Sequence, residues 1–89
     1  MKAEIIIQGL VQGVGYRFFA IKQAQLYNIK GYTKNLPDGS VEVVAEGEQG
    51  MINDFIESLK IGPLSARVAG IDVKWREEDE GFTEFGLRF

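Results

Sequence analysis

The spacing of apolar residues switches repeatedly between a period of two and a period near 3.6. That switching confines the chain to a sheet with helices laid against it. Ala3 to Gln8 is a β-branched run with apolar residues on both faces, as in a central strand. From Tyr16 to Tyr27 the period becomes helical through Tyr16, Ala20, Ala24 and Tyr27, and Asn28 is placed to stop the helix in a left-handed conformation. Ile29 to Leu36 reads as a strand, and Pro37-Asp38-Gly39-Ser40 as a turn. Val41, Val43 and Ala45 give the second arm of a hairpin. Ile52, Phe55, Ile56 and Leu59 mark an amphipathic helix that Gly62-Pro63 ends. Ile71, Val73 and Trp75 alternate along another strand, and Phe85, Leu87 and Phe89 along a short last one. The order is β-α-β-β-α-β plus a C-terminal strand. This predicts an α+β, ferredoxin-like sandwich, an antiparallel sheet with both helices on one face. Within 89 residues there is room for one domain, spanning 1–89. Phe18, Phe19, Tyr32, Phe55, Trp75, Phe85 and Phe89 are expected to be mostly core, and the acidic run Glu77 to Glu80 a solvated turn.

Composition removes most catalytic strategies. The chain has no cysteine and no histidine. Thiolate nucleophiles, disulfides, imidazole bases and the usual zinc ligand sets are therefore absent. Only carboxylates remain to hold a metal, without a calcium-loop signature, so no metal and no cofactor are expected. The net charge of −3 disfavours nucleic acid and anionic membrane as partners. The longest uninterrupted apolar run, Phe18 to Ile21, is too short to span a bilayer, and the segment after Met1-Lys2 is broken by Glu4 and Gln8 before it reaches signal-peptide length. A cytoplasmic location is the expectation.

The segment most able to do chemistry is Gly9-Leu10-Val11-Gln12-Gly13-Val14-Gly15-Tyr16-Arg17, between the first strand and the first helix. Glycines at a helix N-terminus leave backbone N–H groups free at the positive end of the helix dipole, which suits an anion. Arg17 adds a fork able to hold two phosphoryl oxygens. No Gly-Lys-Ser/Thr follows, which excludes a Walker loop. Phe18 stands where a dinucleotide fingerprint needs its third glycine. On spacing alone, glycines that only shape a corner and an arginine that only pairs at the surface remain open alternatives.

The run Gly-x-Val-Gln-Gly-Val-Gly-Tyr-Arg, followed by Gly31-Tyr32-Thr33-Lys34-Asn35-Leu36-Pro37-Asp38-Gly39-Ser40-Val41-Glu42-Val43, resembles the two signatures of the acylphosphatases. The resemblance covers essentially the whole chain, through Glu46-Gly47 and Gly62-Pro63-Leu64. It implies a small stand-alone enzyme that hydrolyses acyl phosphates to a carboxylate and inorganic phosphate. Arg17 matches the family's phosphate-binding arginine. The backbone of Gln12, Gly13, Val14, Gly15, Tyr16 and Arg17 matches its phosphate loop, and Asn35 matches the asparagine that orients the attacking water. Tyr16 stands where many members carry phenylalanine, and Thr33-Lys34 where Val-Arg is frequent. The expected partners are a small acyl phosphate as substrate and inorganic phosphate as product and inhibitor, acting on a monomer.

The residue types agree with that chemistry. An acyl phosphate is a mixed anhydride with a good leaving group, so hydrolysis needs charge compensation and a positioned water rather than an imidazole base. Two other readings share the fold. An RNA-binding module would need its aromatics on a sheet strand, whereas Tyr16-Arg17-Phe18-Phe19 begins a helix. The acylphosphatase-like part of a hydrogenase-maturation carbamoyltransferase would belong to a much larger chain.

Overall fold

The computed structural model describes residues 1–89, in the order β1 (Lys2–Leu10), α1 (Tyr16–Leu26), β2 (Lys30–Asn35), β3 (Val41–Glu46), α2 (Gln49–Ile61), β4 (Arg67–Arg76) and β5 (Phe85–Arg88). The strands form one sheet in the order β4-β1-β3-β2-β5. β1 pairs antiparallel with β3 and with β4, and β3 pairs antiparallel with β2. The last strand departs from the expected pattern, because β5 runs parallel to β2 along its outer edge. The sheet is therefore mixed. An antiparallel β5 would need the chain to arrive from the opposite end of β2.

Ala3, Ile5 and Ile7 of β1 and Val41, Val43 and Ala45 of β3 are buried on the face that meets the helices. α2 contributes Ile52, Phe55, Ile56 and Leu59, as its periodicity predicts. From α1 the buried residues are Tyr16, Ala20 and Ala24, two of them small, so this helix lies close to the sheet. Asn28 takes φ 55 after α1, in the left-handed conformation expected of it.

Two details correct the sequence reading, and a third extends it. First, β1 continues past Gln8 to Leu10 through a register shift at Gln8/Gly9. Gly9 is required there, since a Cβ at its φ of 130° would lie 2.1 Å from the Arg67 carbonyl oxygen. Second, the aromatic set is not mostly core. Phe55 alone is fully buried, while Phe18 is 69% and Phe89 93% exposed, and Trp75 lies at the rim. Periodicity marks apolar residues but not which face is covered: Phe18 points off α1, Trp75 sits on edge strand β4, and Phe89 follows β5. Third, the acidic run is exposed but anchored. The Glu46 carboxylate is only 5% exposed and accepts the backbone N–H groups of Glu80, Gly81 and Phe82. Lys2 adds an ion pair with Glu80 at 3.0 Å.

Candidate active site

Tyr16 opens α1 and fixes where that helix begins. Its ring is 1% exposed, and its hydroxyl donates to the Leu59 carbonyl of α2 at 2.6 Å. The helical donor for that carbonyl would be the residue at position 63. Pro63 has no N–H, so the tyrosine hydroxyl takes its place. Burial holds the phenol well above its ordinary pKa, so it stays a neutral donor.

The loop ahead of Tyr16 turns on Gly13 and Gly15, with φ 74° and 76°. A Cβ at either position would meet no atom within 4 Å, so their requirement is conformational and the space above them is open. None of the backbone N–H groups from Gln12 to Phe18 donates to a carbonyl or side chain of the protein. The first donor is Phe19, to Gly15 at 3.1 Å. These free donors lie at the positive end of an 11-residue helix.

A cleft of about 200 Å³ is lined by Val11, Gly13, Gly15, Tyr16, Arg17, Phe18 and Asn35. Arg17 makes no ion pair with any acid of the chain, and its guanidinium carbon lies 5.5 Å from the centre of the Phe89 ring. Asn35 ends β2 opposite Val41, at the mouth of the hairpin. Its Oδ1 is buried and has no hydrogen-bond partner. The turn beyond it is tightly held. Leu36 N–H donates to the Ser40 carbonyl at 2.9 Å, and Gly39 N–H to the Leu36 carbonyl at 3.2 Å. Asp38 Oδ1 accepts from the Ser40 hydroxyl at 2.5 Å and the Ser40 N–H at 2.9 Å, which lowers its pKa. One cleft thus gathers a free guanidinium, unpaired amides and an unpaired carboxamide oxygen, and contains no acid.

A family model described as Acylphosphatase matches residues 3–87. The chain belongs to the acylphosphatase family. An acylphosphatase of Chlorobaculum tepidum is 44% identical over 97% of this chain and 94% of its own. One from Thermus thermophilus is 52% identical over 82% of this chain and 83% of its own. The crystal structure of the Bacillus subtilis acylphosphatase superposes with a TM-score of 0.97 at 35% identity, covering 99% of this chain and 98% of that one. The activity is accordingly an acylphosphatase's, hydrolysis of the carboxyl–phosphate bond of small acyl phosphates.

Of the residues singled out from the sequence, Gly13, Gly15, Tyr16, Arg17 and Asn35 meet in this cleft. The side chains of Gln12 and Val14 do not line it. Val14 packs against the core, and Gln12 reaches across to the hairpin. Val11 and Phe18 line the cleft without having been anticipated. Phe18 had the apolar character of a core residue, and only its position beside Arg17 could have pointed to the cleft.

Proposed function

We propose that Arg17 and the backbone N–H groups of residues 12–17 bind the phosphoryl group of the acyl phosphate, and that Asn35 orients the attacking water. The observation that carries this reading is the cleft itself, with an unpaired cation and unpaired amides on one side and the partnerless Asn35 Oδ1 on the other. The guanidinium and amides offset the charge on the equatorial phosphoryl oxygens as the P–O bond to the acyl group lengthens. Asn35 Oδ1 accepts one hydrogen of the water and holds its lone pair toward phosphorus. Water oxygen bonds to phosphorus, the acyl oxygen leaves with the bonding electron pair as a carboxylate, and both water protons end on the phosphate. An acyl phosphate dianion thus yields a carboxylate and dihydrogen phosphate.

In this proposal residues 1–89 act as one domain and as a monomer, in the cytoplasm, without metal or cofactor, and are inhibited by the phosphate they release. No helix is long and apolar enough to cross a membrane. Phosphate release from acetyl and benzoyl phosphate by the parent, Arg17→Ala, Arg17→Lys and Asn35→Ala tests the assignment. Arg17→Ala should lose about 10³–10⁵ in rate, as transition-state arginines do. Arg17→Lys should recover little, since an ammonium cannot reproduce the fork. Near-normal turnover by the lysine variant would remove Arg17 from this role.

A further inference from the structure

The Gln12 side chain belongs to the phosphate loop in sequence but not to the cleft in space. Its Nε2 donates to the Leu36 carbonyl at 2.8 Å and to the Ser40 carbonyl at 2.8 Å. Both partners are acceptors, which fixes the orientation of the amide, and both of its N–H bonds are used. Those two carbonyls are also the ones that close the hairpin, since Ser40 accepts from Leu36 N–H and Leu36 from Gly39 N–H. One amide therefore spans both ends of the turn that follows Asn35. The two halves of the cleft come from different elements, the loop before α1 and the end of β2, and no sheet pairing joins them directly. β1 and β2 are separated by β3.

We propose that Gln12 is a positioning residue that sets the distance between the bound phosphoryl group and the water on Asn35. The inference rests on the roles given above to Arg17 and Asn35. Phosphate binding needs only the loop and Arg17. The attack needs the loop and Asn35 in register, and a misplacement near 1 Å can cost about 10²-fold in rate. Gln12→Met keeps the length of the side chain and removes both donors.

The test measures kcat and KM on benzoyl phosphate, together with the inhibition constant of inorganic phosphate, for the parent, Gln12→Met, Asn35→Ala and the double variant. Gln12→Met should lower kcat about 10–100-fold and move the phosphate constant by less than about threefold. In the Asn35→Ala background the same change should cost less than about twofold, because the group it positions is gone. An unchanged kcat, an equal loss of phosphate binding, or a full further loss in the double variant would each overturn the role. Should Gln12→Met fail to fold, Gln12→Glu replaces it. Its carboxylate has no donor, whereas the acid form regains one, so kcat should rise as pH falls from 7 toward about 4. A Gln12→Glu profile that matches the parent's overturns the proposal. Wild-type kcat in Asn35→Ala alone would instead defeat the reading of Asn35, whatever Gln12 does.

Discussion

Replacing Tyr16 by Phe isolates one hydrogen bond whose loss nothing nearby can repair. The ring and its packing remain, and only the hydroxyl that donates to the Leu59 carbonyl at 2.6 Å is removed. Pro63 cannot donate in its place, and Gly62 N–H is committed to Ser58 at 3.0 Å. A buried carbonyl left without a donor costs about 1–3 kcal/mol, so a loss near 2 kcal/mol is expected at pH 7. For a domain of this size that lowers Tm by roughly 10 °C. The alkaline limb supplies a second signature. Burial raises the folded pKa of Tyr16 well above its ordinary value, and burial, then the hydrogen bond to Glu42, pushes Tyr32 up to about 12. Unfolded tyrosines ionise first, near pH 10. The stability held by the neutral folded phenols is therefore whole below pH 10 and falls as pH rises toward the folded values. Tyr16 contributes a slope of about 1.4 kcal/mol per pH unit in that window, which the Phe variant lacks. Urea unfolding from pH 7 to 11.5 should show two curves that start about 2 kcal/mol apart and converge above pH 10. Equal stabilities at pH 7, or curves that stay parallel above pH 10, would refute the reasoning.

Inorganic phosphate, binding the folded loop alone, should stabilise the fold by about 2.7 kcal/mol at a hundredfold excess over Kd and raise Tm accordingly. Chloride at matched ionic strength should not. A melting curve indifferent to phosphate would contradict a preformed cradle. With no histidine or cysteine and no acid lining the cleft, kcat should be nearly flat from about pH 5 to 8 and unchanged by EDTA. A sharp bell at the same pH on two acyl phosphates, or loss of activity with EDTA, would reveal a group or metal outside this account.

What the sequence disclosed depended on how much of each signal was local. Ile52, Phe55, Ile56 and Leu59 could be read because a helix repeats its buried face within a few residues, and all four are buried. Val41, Val43 and Ala45 obey the same logic at a period of two. Gly13, Gly15 and Arg17 stood out because a glycine-rich helix start carries its chemistry in adjacent residues. β5 was harder. Its alternation showed a strand, but its parallel pairing with β2 depends on the route taken by residues 77–84. Glu46 looked like one more acid of an alternating hairpin, yet it is buried because three N–H groups from that distant segment converge on it. The Gln12 bridge was invisible for the same reason, since its acceptors are backbone carbonyls 24 and 28 residues away.

The placement of β4 and β5 at opposite edges of the sheet has a consequence for the order in which the chain assembles. Residues 77–84 must carry the backbone across four strand spacings, about 19 Å. The peptide links between Arg76 and Phe85 reach at most about 30 Å when fully extended, so the crossing uses roughly two-thirds of that reach. The anchor of this crossing, Glu46, lies on β3, and the edge that β5 joins is β2, so both must be in place before the crossing and β5 can settle. The final strand, four residues long and paired along one edge only, is therefore expected to dock last and to open first. Amide protons of residues 85–88 should accordingly exchange with solvent faster than those of β1 and β3, and equal protection would contradict this order. Phe89 follows that strand with its ring 5.5 Å from the Arg17 guanidinium carbon, so an opening of β5 should also displace the ring beside the phosphate loop.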